Sequence, residues 1–214
     1  MKTFISRSLV KAAFAASSIL VPAIACLAPA VAQAQAGEPA NVRGSIVSAN
    51  GNLLNVKTRE GKTVDVTLAQ DAQIAGVARA ATSDIKPGDY VGIASLPKAD
   101  GGDGALEVLI FPPAMKGLGE GSHGWDLKPK SSMTNATVAN AVKGVDGHTV
   151  TVTYQGKEKK IAIPDGTPVV TLAPASAKDL VAGAIVFIPT MKDAKGGLVT
   201  HQLVVGANGV VPPM

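Results

Sequence analysis

The mature part of this 214-residue chain is written twice, and that repeat constrains its fold more than any other feature. Gly51, Leu54 and Val56 answer to Gly147, Val150 and Val152, all 96 positions on. After a one-residue slip, Val66, Leu68, Ile74, Asp84-Ile85, Gly88, Val91 and Ile93 answer to Ile161, Ile163, Val169, Asp179-Leu180, Gly183, Val186 and Ile188, all 95 positions on. Self-similarity at a fixed offset marks a duplicated structural unit. Whatever one half folds into, the other half is expected to match.

Each half reads as short strands. Asn50-Gly51-Asn52 tolerates the positive φ of a tight hairpin. Leu54, Val56 and Thr58 then alternate with Asn55, Lys57 and Arg59, which gives one buried and one solvated face. Glu60-Gly61-Lys62 turns the chain, and Val64, Val66 and Leu68 alternate again. Residues 69–83 are Ala-rich without a strand period, and predict a short helix or irregular crossover. Tyr90–Leu96 reads as a buried strand, Lys98–Gly104 as an exposed loop, and Ala105–Phe111 as the strand that Pro112-Pro113 ends. The second half follows suit, from the Asp146-Gly147 turn to a last strand at Val199–Val205.

About five strands per half, interrupted before the fourth, predict an all-β chain of two tandem small Greek-key barrels of the OB type. The expected organisation is a signal peptide at 1–36, a first barrel at 40–113, a Gly-rich linker at 114–133, a second barrel at 134–207 and a loose tail at 208–214. One sandwich or larger barrel built from both halves is the alternative.

The first 36 residues read as an address. Lys2, Arg7 and Lys11 precede an apolar run, and Ala32-Gln33-Ala34 and Ala34-Gln35-Ala36 are small-x-small cleavage sites. Pro22 and Pro29 break the run, so no transmembrane span is expected. The product is expected in the periplasm. Ala23-Ile24-Ala25-Cys26 resembles a lipoprotein box, although Leu is more usual where Ala23 stands. A lipid anchor at Cys26 is therefore the alternative to plain cleavage. Cys26 is the one cysteine, so cleavage leaves no disulfide, thiolate ligand or thiol nucleophile.

Bulk charge implies no polyanion. Three of the 20 Lys+Arg and none of the 16 Asp+Glu lie in the signal, which leaves 17 against 16. Basic residues are scattered, Phe111 and Phe187 sit in apolar runs, and export removes the chain from nucleic acid. No nucleic-acid partner is expected.

The pattern Gly44-x-Ile46-x-Ser48 with Asn50-Gly51-Asn52-x-Leu54, followed by Asp84-Ile85-Lys86-Pro87-Gly88-Asp89-Tyr90-Val91, resembles a family of exported bacterial domains of unknown function with an OB-like barrel. The second half carries the frame as Asp179-Leu180-Val181-Ala182-Gly183-Ala184-Ile185-Val186, with Ala182 in place of the Pro. The resemblance implies a fold and brings no catalytic residue with it.

Candidate chemistry concentrates in the linker, which holds the sole Trp. One reading makes Trp125 a plug, largely buried between the barrels or against one of them, since a large aromatic is costly to leave in water. The other makes it a binding loop, with Trp125 stacking on a ligand and Glu120, His123 and Asp126 supplying polar contacts. A sharper version uses His123, His148 and His201 with Met115, Met133 and Met191 as imidazole and thioether ligands for copper, although their spacing matches no compact motif. Ser122, His123 and Asp126 crowd one loop, which disfavours a catalytic triad. Phosphate loops and dinucleotide fingerprints are missing, so no catalytic residue and no cofactor are expected. The expected protein is a non-enzymatic exported binding or adaptor protein, its partner a protein, an envelope polymer or a small ligand. Soft-metal binding through His123 and Met is the alternative.

Overall fold

The structure, a computed structural model, describes residues 38–144, 147–206 and 209–212. Residues 1–37, which hold the expected signal peptide and Cys26, lie outside the described residues, as do Asp146 and part of the tail. Within them the chain is all-β: strands β1 (Pro39–Asn50), β2 (Leu53–Thr58), β3 (Thr63–Ala80), β4 (Tyr90–Pro97), β5 (Asp103–Ile110), β6 (Gly121–Gly124), β7 (Ser132–Gly144), β8 (Gly147–Tyr154), β9 (Lys157–Pro164), β10 (Val169–Pro174), β11 (Ile185–Lys192) and β12 (Leu198–Gly206). Three single 3₁₀ turns are the other regular elements.

Alternation places the strands as read. Leu54, Val56 and Val66 face inward with no exposed surface, while Lys57 and Arg59 face water. The Ala-rich segment departs from its reading. Instead of a helix or crossover, it continues β3 to Ala80 without a break. The reason is a change of partners along one strand. The first part of β3 pairs with β2 from Thr63 to Thr67, and its last part pairs with β10 from Ala75 to Ala80. The buried face changes with the partner, so no single period of two runs through it.

The pairing crosses between the two halves. β1, β2, β3, β12 and β11 close a five-stranded barrel, in which β11 pairs antiparallel with β1 and β12 pairs parallel with β3. A second circuit runs β4, β7, β8, β9 and β5. It is closed by a short parallel seam, Asp103 and Gly104 of β5 against Ile161 and Ala162 of β9. A barrel confined to 40–113 would need β1 against β4 and β3 against β5. Here β1 takes β11, and β3 takes β12. The expectation of one barrel per half therefore gives way to circuits that each draw on both halves. The cores agree. One cluster unites Ile46, Leu54 and Val56 with Leu180, Val186, Ile188 and Leu203, and another unites Ile85, Val91 and Ile93 with Val138, Val150, Val152 and Ile161. Val77, Leu109 and Val170 form a third cluster where β3, β10 and β5 meet.

The duplicated motif docks these exchanged pieces. Pro87-Gly88 makes a turn closed by Asp89 N–H donating to Lys86 C=O at 3.1 Å, with Gly88 at φ 94°. A positive φ at this position asks for Gly. Gly88 N–H then donates to Val138 C=O, and Val138 N–H to Asp89 C=O, both at 2.8 Å. The second copy repeats this at Gly183 (φ 85°), whose N–H donates to Ile46 C=O at 2.8 Å, while Ile46 N–H donates to Ala184 C=O at 2.9 Å. Each turn thus grips the first strand of the other half, beside a bulge in that strand. Ala182 in place of Pro leaves the turn itself intact.

Candidate functional site

The linker is tied down along its length and is partly a strand. Tyr90 Oη donates to Leu118 C=O at 3.0 Å, and Asn135 Nδ2 to Gly119 C=O at 3.2 Å. β6 then adds to β7 with Gly121, Ser122, His123 and Gly124 opposite Asn135, Thr134, Met133 and Ser132. Burial and the nearby Glu120 charge push the Tyr90 hydroxyl above its ordinary pKa.

Two residues further on, the linker crosses to the closed barrel. Asp126 accepts from Arg43 Nη2 at 2.8 Å and Nη1 at 3.1 Å, and from Asn41 Nδ2 at 3.0 Å. Partial burial opposes the Asp126 charge, yet the Arg43 and Asn41 hydrogen bonds and the guanidinium charge outweigh it and hold its pKa below the usual value. Arg43 lies opposite Phe187 on the paired strands β1 and β11. Its guanidinium carbon sits 4.9 Å from the Phe187 ring and 5.5 Å from the Trp125 ring, within cation–π range. Trp125 also meets Phe187 at 6.2 Å and His123 at 5.9 Å, the latter edge-on. The Trp125 backbone N–H donates to Ser131 C=O at 2.8 Å. The indole is half-buried, so Trp125 is a partial plug against the β1–β11 face, less enclosed than the sequence reading expects.

Beside it lies a mostly apolar pocket of roughly 430 Å³, open mouth included. Leu109, Phe111, Trp125 and Met133 supply apolar surface, with His123, Glu107, Asn135 and Gly92 around them. The indole Nε1–H is buried and meets no acceptor among the described residues. A donor in that state carries a desolvation cost that a ligand acceptor would relieve.

Of the four residues predicted to form the site, His123 and Trp125 come together at this pocket. Glu120 does not: its carboxylate accepts from Gln155 N–H at 2.7 Å and holds the β8–β9 turn. Asp126 is engaged by Arg43 and Asn41. The six-residue metal set is dispersed. His123 faces Met133, but His148 lies opposite Lys143, ten residues along β7 and about 30 Å of strand away. His201 Nδ1 lies 2.9 Å from Asp71 Oδ1, and Met191 stands on β11 opposite Pro39. Among the described residues, no group of three His, Cys, Asp or Glu gathers. Ser122 Oγ is 2.9 Å from Thr134 Oγ1, so Ser122, His123 and Asp126 turn to separate partners. Among the described residues no helix is long and apolar enough to cross a membrane.

Sequence reading missed Glu107, Leu109, Phe111, Asn135 and Gly92 as lining residues. One signal was available: Glu107 interrupts the apolar run Ala105–Phe111, and a carboxylate buried within such a strand is out of place without a role. No family model, curated protein or solved structure matches this chain. The family resemblance therefore rests on the residues quoted for it.

Proposed function

We propose that this is a non-enzymatic exported binding protein built from two OB-like barrels, each completed by two strands of the other half, with its ligand site in the pocket beside Trp125. The observation that carries the reading is the buried indole N–H with no acceptor among the described residues, set against an apolar pocket. A small ligand with an apolar body and one acceptor atom suits that lining. The duplicated turn that docks each half on the other supports the barrel pair, and the Lys2–Lys11 region with the Ala-x-Ala pair supports periplasmic export by cleavage near Ala36. Lipidation at Cys26 is the alternative anchorage. The quoted motif supports membership of the exported OB-like family.

Soft-metal binding is a second reading of the same pocket, favoured by His123 standing opposite Met133. Two measurements test the primary reading. N-terminal sequencing of the mature protein should begin at residue 37; a lipidated Cys26 would replace cleavage with anchorage. Fluorescence titration should show the emission of the sole tryptophan, Trp125, responding saturably to a neutral aromatic probe. An emission indifferent to such probes would remove the pocket from the proposal.

A further inference from the structure

Within the second, soft-metal reading above, we propose that the pocket holds one soft monovalent cation, Cu(I), between the imidazole of His123 and the thioether of Met133, beside the Trp125 ring. His123 and Met133 are direct cross-strand partners on β6 and β7, and both line the pocket. Directly opposed residues hold their Cβ atoms about 5 Å apart, a span that a single ion bridges at the ends of an imidazole and a thioether. Met133 is buried and His123 is exposed, so one donor is fixed in the wall while the other stands at the mouth, where exchange is open.

The donor chemistry selects the ion. Thioethers are soft ligands that favour Cu(I), and imidazole serves copper as well. Zinc seeks four N, S or O ligands in a tetrahedron. Among the described residues no three His, Cys, Asp or Glu converge to start one. Calcium and magnesium need six or more oxygen ligands, and among the residues lining this pocket Glu107 and Asn135 supply side-chain oxygen, too few for such a shell. Trp125 already meets the Arg43 guanidinium at 5.5 Å, so it reports on the site rather than holding the ion. Its ring centroid lies 5.9 Å from that of the His123 imidazole. Two protein donors leave Cu(I) able to take a third from solvent or from a partner, which suits a carrier more than a store. The binding step involves no change of oxidation state.

The test titrates the purified mature protein with Ag(I), a redox-inert analogue, and with Cu(I) against a chromophoric chelator without oxygen. One equivalent of either ion should quench Trp125 emission, and an equal concentration of Zn(II) should not. His123→Ala and Met133→Leu should each weaken binding by roughly tenfold or more, while Met191→Leu and His201→Ala leave it unchanged. Leu matches Met closely in volume, so an unchanged melting temperature for Met133→Leu assigns its loss to the sulfur. Binding that survives both site variants, or a response to Zn(II) equal to that for Ag(I), overturns the metal site. N-phenyl-1-naphthylamine, a neutral fluorophore, separates the two readings. Uptake of the fluorophore with energy transfer from Trp125, together with indifference to Ag(I), sinks the ion and keeps a binding pocket. Failure of both probes sinks both.

Discussion

Arg43 holds Asp126 with two guanidinium hydrogen bonds, 2.8 and 3.1 Å long, although the two residues lie 83 positions apart. Arg43 is 9% exposed and the Asp126 side chain 49%. The pair pins the end of the linker to the closed barrel just beyond Trp125. Asp126→Ala should cost about 1 kcal/mol in urea unfolding, less than a fully buried charged hydrogen-bond pair because solvent screens the exposed carboxylate. It should also loosen Trp125, read as greater acrylamide quenching.

The same pair sets a pH dependence. The Asp126 pKa is lower folded than unfolded, so its stabilisation is complete above the unfolded value of about 3.9 and is lost as pH falls through the folded value. Glu38 and Asp100 are shifted the same way by Lys192 and Lys98, so the parent curve also declines in acid. The diagnostic quantity is therefore a difference. The stability gap between the parent and Asp126→Asn should be constant at neutral pH and shrink below about pH 4. A gap that persists in acid would detach the effect from ionisation.

Exchange between the halves predicts where damage appears. Leu180 belongs to the second half but packs with Ile46, Leu54 and Val56, whereas Ile85 belongs to the first and packs with Val138, Val150 and Val152. Each is 5% exposed. Leu180→Ala and Ile85→Ala should each cost about 2–5 kcal/mol. Hydrogen exchange should show Leu180→Ala deprotecting β1 and β2 first, and Ile85→Ala deprotecting β7 and β8 first. The opposite pattern would mean that each half closes on itself.

Gly44 opens the Gly44-x-Ile46-x-Ser48 pattern for a steric reason. A Cβ there would lie within 2.1 Å of Lys57 O on the neighbouring strand, so β1 and β2 approach too closely for any side chain. Gly44→Ala should destabilise by about 3 kcal/mol through forced separation of the hairpin. Gly124→Ala, with open space around its Cβ, should be nearly silent in the same urea titration.

The second circuit closes on two residue pairs, and beside that seam Lys159 makes an ion pair with Asp103. Lys159 is 21% and Asp103 14% exposed, and Ser95, Ser132 and Thr134 hydrogen-bond into the pair. Removing one charge from a partly enclosed pair leaves the other poorly compensated. Asp103→Asn should lower stability by about 2–3 kcal/mol and speed exchange in β9 ahead of β3. Equal exchange in the two strands would mean that the seam is not the weak point.

Strand positions were legible wherever one face is buried: Leu54 and Val56, Val150 and Val152, Ile161 and Ile163 all point inward. Residues 69–80 were not, because alternation needs one partner and one core, and β3 has two of each. The choice of partners was illegible for a different reason. When two halves share a pattern, β1 meets the same kind of surface in β4 as in β11, so local alternation is identical for closure within a half or across halves. Trp125 and His123 stood out by their rarity. Glu107, Phe111 and Asn135 join them only through long-range pairing of β4, β5 and β7, which leaves no mark on local spacing.

Sharing strands also orders events in time. The strands of the second circuit, β4 to β9, are contiguous in the chain from Tyr90 to Pro164. The closed barrel instead combines β1–β3 with β11 and β12, its first and last strands more than a hundred residues apart. A chain delivered from its N-terminus offers β1–β3 long before their partners arrive, and contacts of such separation form slowly. The inner circuit is therefore placed to close first, and Leu198–Gly206 last. Until that strand is delivered, Leu54, Val56 and Val66 lack the cover of Leu203 and Val205, which makes the arrival of β12 the step that ends their exposure to chaperones and proteases.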